Sequence, residues 1–209
     1  RRFILSELGK EDNGSFNFNL LKSLIPNTIK LGLTGLMGFI LSKMYYFIGS
    51  RKLMPEDFSM LIIIFTILGV VESFASLYGQ LYYAKMLKYF NQNLNIKLKK
   101  NIQAAQVSQA TVFLLSLIIL YFFVPVLIPF RKELEQLSLK FLVLITIYRY
   151  VENNIGLNGM ILTIENKIPF FKTAIYSGIV SFILYLAIFS LDQINIYTII
   201  LIPLLTQLA

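Results

Sequence analysis

The stretch Ala104–Phe130 carries no charged side chain, and it is one of several long apolar runs separated by tight clusters of charge. A water-soluble fold must cover its surface with polar groups. This chain has 30 charged residues for 209 positions, 14% against roughly 25% in an ordinary soluble domain. With 56% apolar residues and a mean hydropathy of +0.69, the pattern predicts a surface that faces lipid. The expected fold class is all-α, a polytopic bundle of about six membrane-crossing helices.

The chain contains no cysteine and no histidine. That excludes disulfides, thiolate or imidazole metal sites, and Ser-His-Asp or Cys-His nucleophiles. There are no paired carboxylates in a plausible aqueous pocket and no phosphate-cradling glycine loop, since Gly32, Gly35 and Gly38 fall within a helical run. Nothing asks for catalysis, a metal or a cofactor. The net charge of +8 reads as membrane topology and not as nucleic-acid binding, because Lys and Arg gather in cytoplasmic loops.

A crossing helix needs about 20 mostly apolar residues. Six are expected: Asn27–Ser50, Asp57–Gly79, Ala104–Phe130, Ser138–Leu162, Pro169–Leu191 and Asn195–Ala209. The third is expected to bend or end near Pro125 and Pro129. Residues 1–26 form a cytoplasmic or interfacial segment, with a short helix over Ser15–Ile25 stopped before Pro26. The chain starts Arg1-Arg2-Phe3, which does not read as a signal peptide. It ends in an apolar run at Leu208-Ala209, and it is expected to be a piece of a longer protein at both ends.

Loop charge orients the bundle. Eleven cations lie before the first span, in the 80–103 loop and in the 163–172 turn, against five on the other side. The first group is therefore assigned to the cytoplasm, and the amino end with it. Leu81–Lys100 reads as a cytoplasmic helical extension whose Lys and Tyr residues either anchor it at an anionic leaflet or recruit a substrate.

Ionisable residues inside spans are costly there, so they are the candidate functional groups. Arg149 lies mid-span, with Glu152 at i+3 on the same face. Asn153, Asn154 and Asn158 widen that polar sector. Two readings stand: a self-neutralised pair that locks helix packing, or a polar site in a transport pathway. Lys43 lies deep in the first span and either snorkels outward or faces a polar interior. Glu72 either pairs with a lysine or binds a coupling cation or proton. Thr34, Gly38 and Ser42 recur every four residues, for close helix packing or a water-lined groove. Gln103, Gln106 and Gln109 form a polar stripe at the start of the third span.

The run Leu24-Ile-Pro-Asn-Thr-Ile-Lys-Leu-Gly-Leu-Thr-Gly-Leu-Met-Gly-Phe39 resembles the opening of the second half of O-antigen (O-unit) flippase-like proteins. The turn Glu165-Asn-Lys-Ile-Pro-Phe-Phe-Lys-Thr-Ala-Ile-Tyr-Ser-Gly178 is similar to one between two late helices of that family, and Leu205-Thr-Gln-Leu-Ala209 looks like part of its last span. These proteins belong to the multidrug/oligosaccharidyl-lipid/polysaccharide exporter superfamily. The resemblance implies one six-helix lobe, the second, of a 12-helix transporter in the bacterial inner membrane. Its first lobe would be a partner from the same chain. The cargo would be undecaprenyl-pyrophosphate-linked saccharide units, flipped between leaflets by alternating access. Membrane lipids and other polysaccharide-assembly proteins would be further partners. On this reading Arg149, Lys43, Glu152 and Asn153 contact substrate, with Arg149 holding phosphate oxygens and Glu152 orienting it, while Glu72 is the residue for ion coupling.

Three other readings compete. A drug/cation antiporter of the same superfamily is expected to carry an acidic interior. A membrane-embedded assembly enzyme such as a polymerase is expected to carry a large polar outer loop, and the outer loops here are short. A passive membrane subunit would leave Arg149 facing another helix.

Overall fold

The computed structural model describes residues 18–165, 170–191 and 194–208. Their regular structure is entirely helical. Six α-helices run in chain order: α1 Phe18–Lys52, α2 Pro55–Asn91, α3 Asn95–Leu127, α4 Leu139–Leu162, α5 Phe171–Phe189 and α6 Ile196–Leu208. Short 3-10 turns occupy Lys132–Gln136 and Thr163–Glu165. Residues 1–17, most of the expected interfacial segment, lie outside the described residues, as does Pro169.

Local chemistry sets the boundaries. Arg51 and Lys52 close α1, while Pro55 opens α2 with Glu56 and Asp57 in its first turn, each charge matching the helix dipole. The Ser138 hydroxyl caps α4 by accepting the Phe141 N–H at 3.1 Å. α3 ends at Leu127, two residues after Pro125. One expectation is corrected at Pro26, which lies inside α1 and does not stop it. Its ring removes one backbone hydrogen bond, and the helix continues through the gap.

Four helical stretches are long and apolar enough to cross a membrane: Thr28–Lys52, Pro55–Asn91, Asn95–Leu127 and Phe171–Phe189. That is compatible with a multi-pass membrane protein. α3 turns Leu114, Leu115, Ile118 and Phe122 outward, an apolar surface suited to lipid. The other two expected spans differ. α6 is apolar but has only 13 residues. α4 has 24 residues, roughly 36 Å of helix, yet its polar run lowers its apolarity. The reason is position: α4 packs against α2, α3 and α6, so its polar face meets protein.

The helices associate as two groups, α1 with α5 and α6, and α2 with α3 and α4. They join at one end through a buried cluster that includes Tyr45 of α1, Phe65 of α2, Tyr148 of α4, Tyr185 of α5 and Ile199 of α6. Tyr45 stacks on Phe65 at 4.1 Å between ring centroids, and Phe65 meets Tyr148 edge-on at 6.0 Å. At the opposite end the sequence reading is corrected again. Leu81–Lys100 is not one extension but the tip of an α2–α3 hairpin. Its turn has Asn93 at φ 56°, with Asn93 N–H donating to the Phe90 carbonyl and Leu94 N–H to the Tyr89 carbonyl. This is a helix stop in which asparagine tolerates the left-handed conformation.

Candidate functional site

Near the middle of α4, Arg149 is 7% exposed. One guanidinium nitrogen donates to Glu152 Oε2 at 2.5 Å and the other to Glu72 Oε2 at 2.6 Å. The first contact follows from i,i+3 spacing on one helix face. The second is tertiary, because α2 carries Glu72 alongside α4. The guanidinium also sits 5.0 Å from the centre of the Phe65 ring, a cation–π contact in a desolvated setting. Arg149 thus spends both ends of its fork on carboxylates, while its Nε is buried without a partner among the described residues. With both carboxylates ionised, the three groups carry one excess negative charge.

The expected Glu72–lysine pair is therefore replaced by Glu72–Arg149. Lys43 remains exposed and makes no ion pair with another described residue. Asn153 turns toward α3, where it accepts from Gln109 Nε2 at 2.5 Å. Gln106 Nε2 likewise donates to Asn158 Oδ1 at 3.2 Å, and Asn158 donates to Asn154 at 3.3 Å. Gln106 and Gln109 are accordingly bundle-facing, and Gln109 is fully buried. Their part was missed because a polar stripe near a helix start has the same pattern whether it meets water or a partner helix. The i,i+3 repeat opposite a run of asparagines was the available signal.

Beside this network, on the hairpin side of the apolar cluster, the two helix groups splay. They leave an open cavity of about 610 Å³ between α1, α4, α5 and α6. Thr34, Gly38 and Ser42 line it from α1, Glu152 and Asn158 from α4, Ser177 from α5 and Gln207 from α6. An added Cβ at Gly32, Gly35 or Gly38 would meet nothing within 4 Å, so these small residues border open space and not a tight helix contact. Close packing falls instead at Gly178 of α5, where an added Cβ would lie 2.7 Å from Met37 Cβ. Of the expected substrate residues, Glu152 lines this cavity, Arg149 lies behind it, and Asn153 is engaged with α3.

No protein-family model, curated protein or solved structure matches the chain.

Chemically, the site is a wedge whose walls are mostly apolar. Hydroxyls and amides dot its surface, and Glu152, the cavity-lining member of a carboxylate–guanidinium–carboxylate group, lies on its wall. Such a group is costly in a low-dielectric interior unless every partner is in place. It can exchange partners: an incoming anion competes for Arg149, while an incoming cation or proton competes for the excess carboxylate.

Proposed function

We propose that the chain is a six-helix lobe of a bacterial cytoplasmic-membrane transporter that flips undecaprenyl-pyrophosphate-linked saccharide units by alternating access. The hairpin end, rich in lysine, faces the cytoplasm in this reading. The observation that carries it is the wedge: an open cavity lined by Glu152, with Arg149 and Glu72 paired behind it and the aromatic cluster beside it. An amphiphile with a charged head and a long apolar tail requires such a mixed surface, because its pyrophosphate and sugars cannot cross hydrocarbon unaided. In this scheme cargo phosphate displaces Glu152 from Arg149, and Glu72 keeps the guanidinium oriented and senses the coupling ion.

The test is genetic. Deleting the full-length gene in its host should abolish surface polysaccharide and leave complete single repeat units on the cytoplasmic leaflet. Arg149→Ala at unchanged expression should do the same, and normal polysaccharide in that variant would sink the assignment. Accumulation on the outer leaflet would point to a polymerase.

A second reading has one observation in its favour. Two carboxylates against one guanidinium leave an acidic excess, which suits a drug/cation antiporter. An unchanged surface with altered drug sensitivity after deletion would select it.

A further inference from the structure

The α2–α3 hairpin is longer than a bilayer needs. α2 has 37 residues, roughly 55 Å of helix against a hydrocarbon core of about 30 Å. With Glu56 and Asp57 at one interface, its last dozen or so residues stand beyond the core on the other side. The start of α3 stands with them. This projecting part is not a loose arm. Met86 and Ala105 are buried, and Tyr82, Tyr83, Phe90 and Ile102 pack around them with the end of α4.

Five lysines, Lys85, Lys88, Lys97, Lys99 and Lys100, stud its exposed surface. The sequence holds no acidic residue between Glu72 and Glu133, and none of the five makes an ion pair with another described residue. Antiparallel pairing sets Lys85 level with Lys99 and Lys100, roughly 10 Å beyond the hydrocarbon edge, counting 1.5 Å per residue. That is headgroup depth for a side chain of this length. Lys88 and Lys97 lie nearer the tip. Lys85 Nζ sits 5.3 Å from the Tyr82 ring centre and 6.0 Å from that of Tyr89, so the ammonium is held beside rings of the kind that settle at a membrane interface. Leu81 and Ile96 add exposed apolar surface.

We infer that the base of this hairpin binds the anionic phospholipid headgroups of the leaflet on its own side. Charge complementarity selects this partner. Lys85, Lys99 and Lys100 lie within a Debye length of the lipid phosphates, and a rigid basic surface gains most there. The inference rests on the helices crossing a bilayer and is independent of the cargo.

The test is amide hydrogen exchange of the full chain in nanodiscs of phosphatidylcholine, with and without phosphatidylglycerol. Phosphatidylglycerol should slow exchange over residues 82–103 on the order of tenfold. The effect should vanish in a Lys85→Gln, Lys99→Gln, Lys100→Gln triple variant and persist largely intact in Lys88→Gln, Lys97→Gln. High salt should remove it from the unmodified chain, a check that needs no variant to fold. Equal exchange in the two lipids would overturn the proposal, as would protection surviving in the triple variant. Equal protection by inorganic phosphate in phosphatidylcholine nanodiscs would also overturn it, since the lipid would then not be the source of the anion.

Discussion

Arg149 and Glu72 stand 77 positions apart in the chain and meet at 2.6 Å inside the bundle. Glu152, one helical turn from Arg149, completes the group from the other side. The arrangement ties α2 to α4 at the level where the apolar cluster gives way to the open wedge. Arg149→Ala would leave two carboxylates uncompensated, and removal of one partner from a buried ion pair costs about 3–5 kcal/mol. The unfolding midpoint in detergent should fall clearly. Glu152→Gln should cost less, because Glu72 still pairs with Arg149. Equal losses in the two variants would show that Glu72 alone does not hold Arg149 once Glu152 is removed. Arg149→Lys should behave nearer to Ala than to Arg, because a single ammonium lacks the planar fork that spans two carboxylates.

The Gln109–Asn153 bond joins α3 to α4. Interhelical hydrogen bonds inside membranes average about 0.6 kcal/mol. A double-mutant cycle with Gln109→Leu and Asn153→Leu should return a coupling energy of about that size. Strict additivity would mean that the two amides do not sense each other.

Gly178 of α5 packs closely against Met37 of α1. Gly178→Ala should force the helices apart and destabilise by about 1–3 kcal/mol, as overpacking does. The obstructing atoms include Met37 Cβ, so Met37→Ala should relieve only part of the clash, and Met37→Gly most of it. Gly38→Ala should be nearly neutral by comparison, because nothing lies within 4 Å of the added methyl.

The absence of native cysteine makes accessibility mapping direct. Single cysteines at Thr34, Ser42 or Ser177, all lining the wedge, should react with a membrane-impermeant thiol reagent added on the side of the basic hairpin. Cysteine at Ile199, which is fully buried in the apolar cluster, should not react from either side. Labelling of the wedge positions only from the opposite side would invert the orientation deduced from loop charge.

Much of this was legible along the chain. Uncharged apolar runs must form helices in lipid, because no water is present to satisfy their backbone groups. Arg149 and Glu152 share a face through the helical period alone. Other features were not legible. Pro26 looks like a helix stop in sequence, and only the continuous helix shows that its missing hydrogen bond is tolerated. Thr34, Gly38 and Ser42 have the spacing of a packing stripe, yet Gly178 takes the close contact and they border a cavity. Small residues serve both purposes, and the choice depends on what the opposite helix presents.

By itself, then, the sequence determined the helical class and the apolar runs that supply the long helices, because both follow from local composition and periodicity. Tertiary structure alone decided that Glu72 pairs with Arg149, that the glutamines of α3 reach the asparagines of α4, and that the bundle is closed at one end and splayed at the other. Those are relations between distant segments. They are fixed by which helices pack together, and helical periodicity carries no information about the neighbour a face will meet.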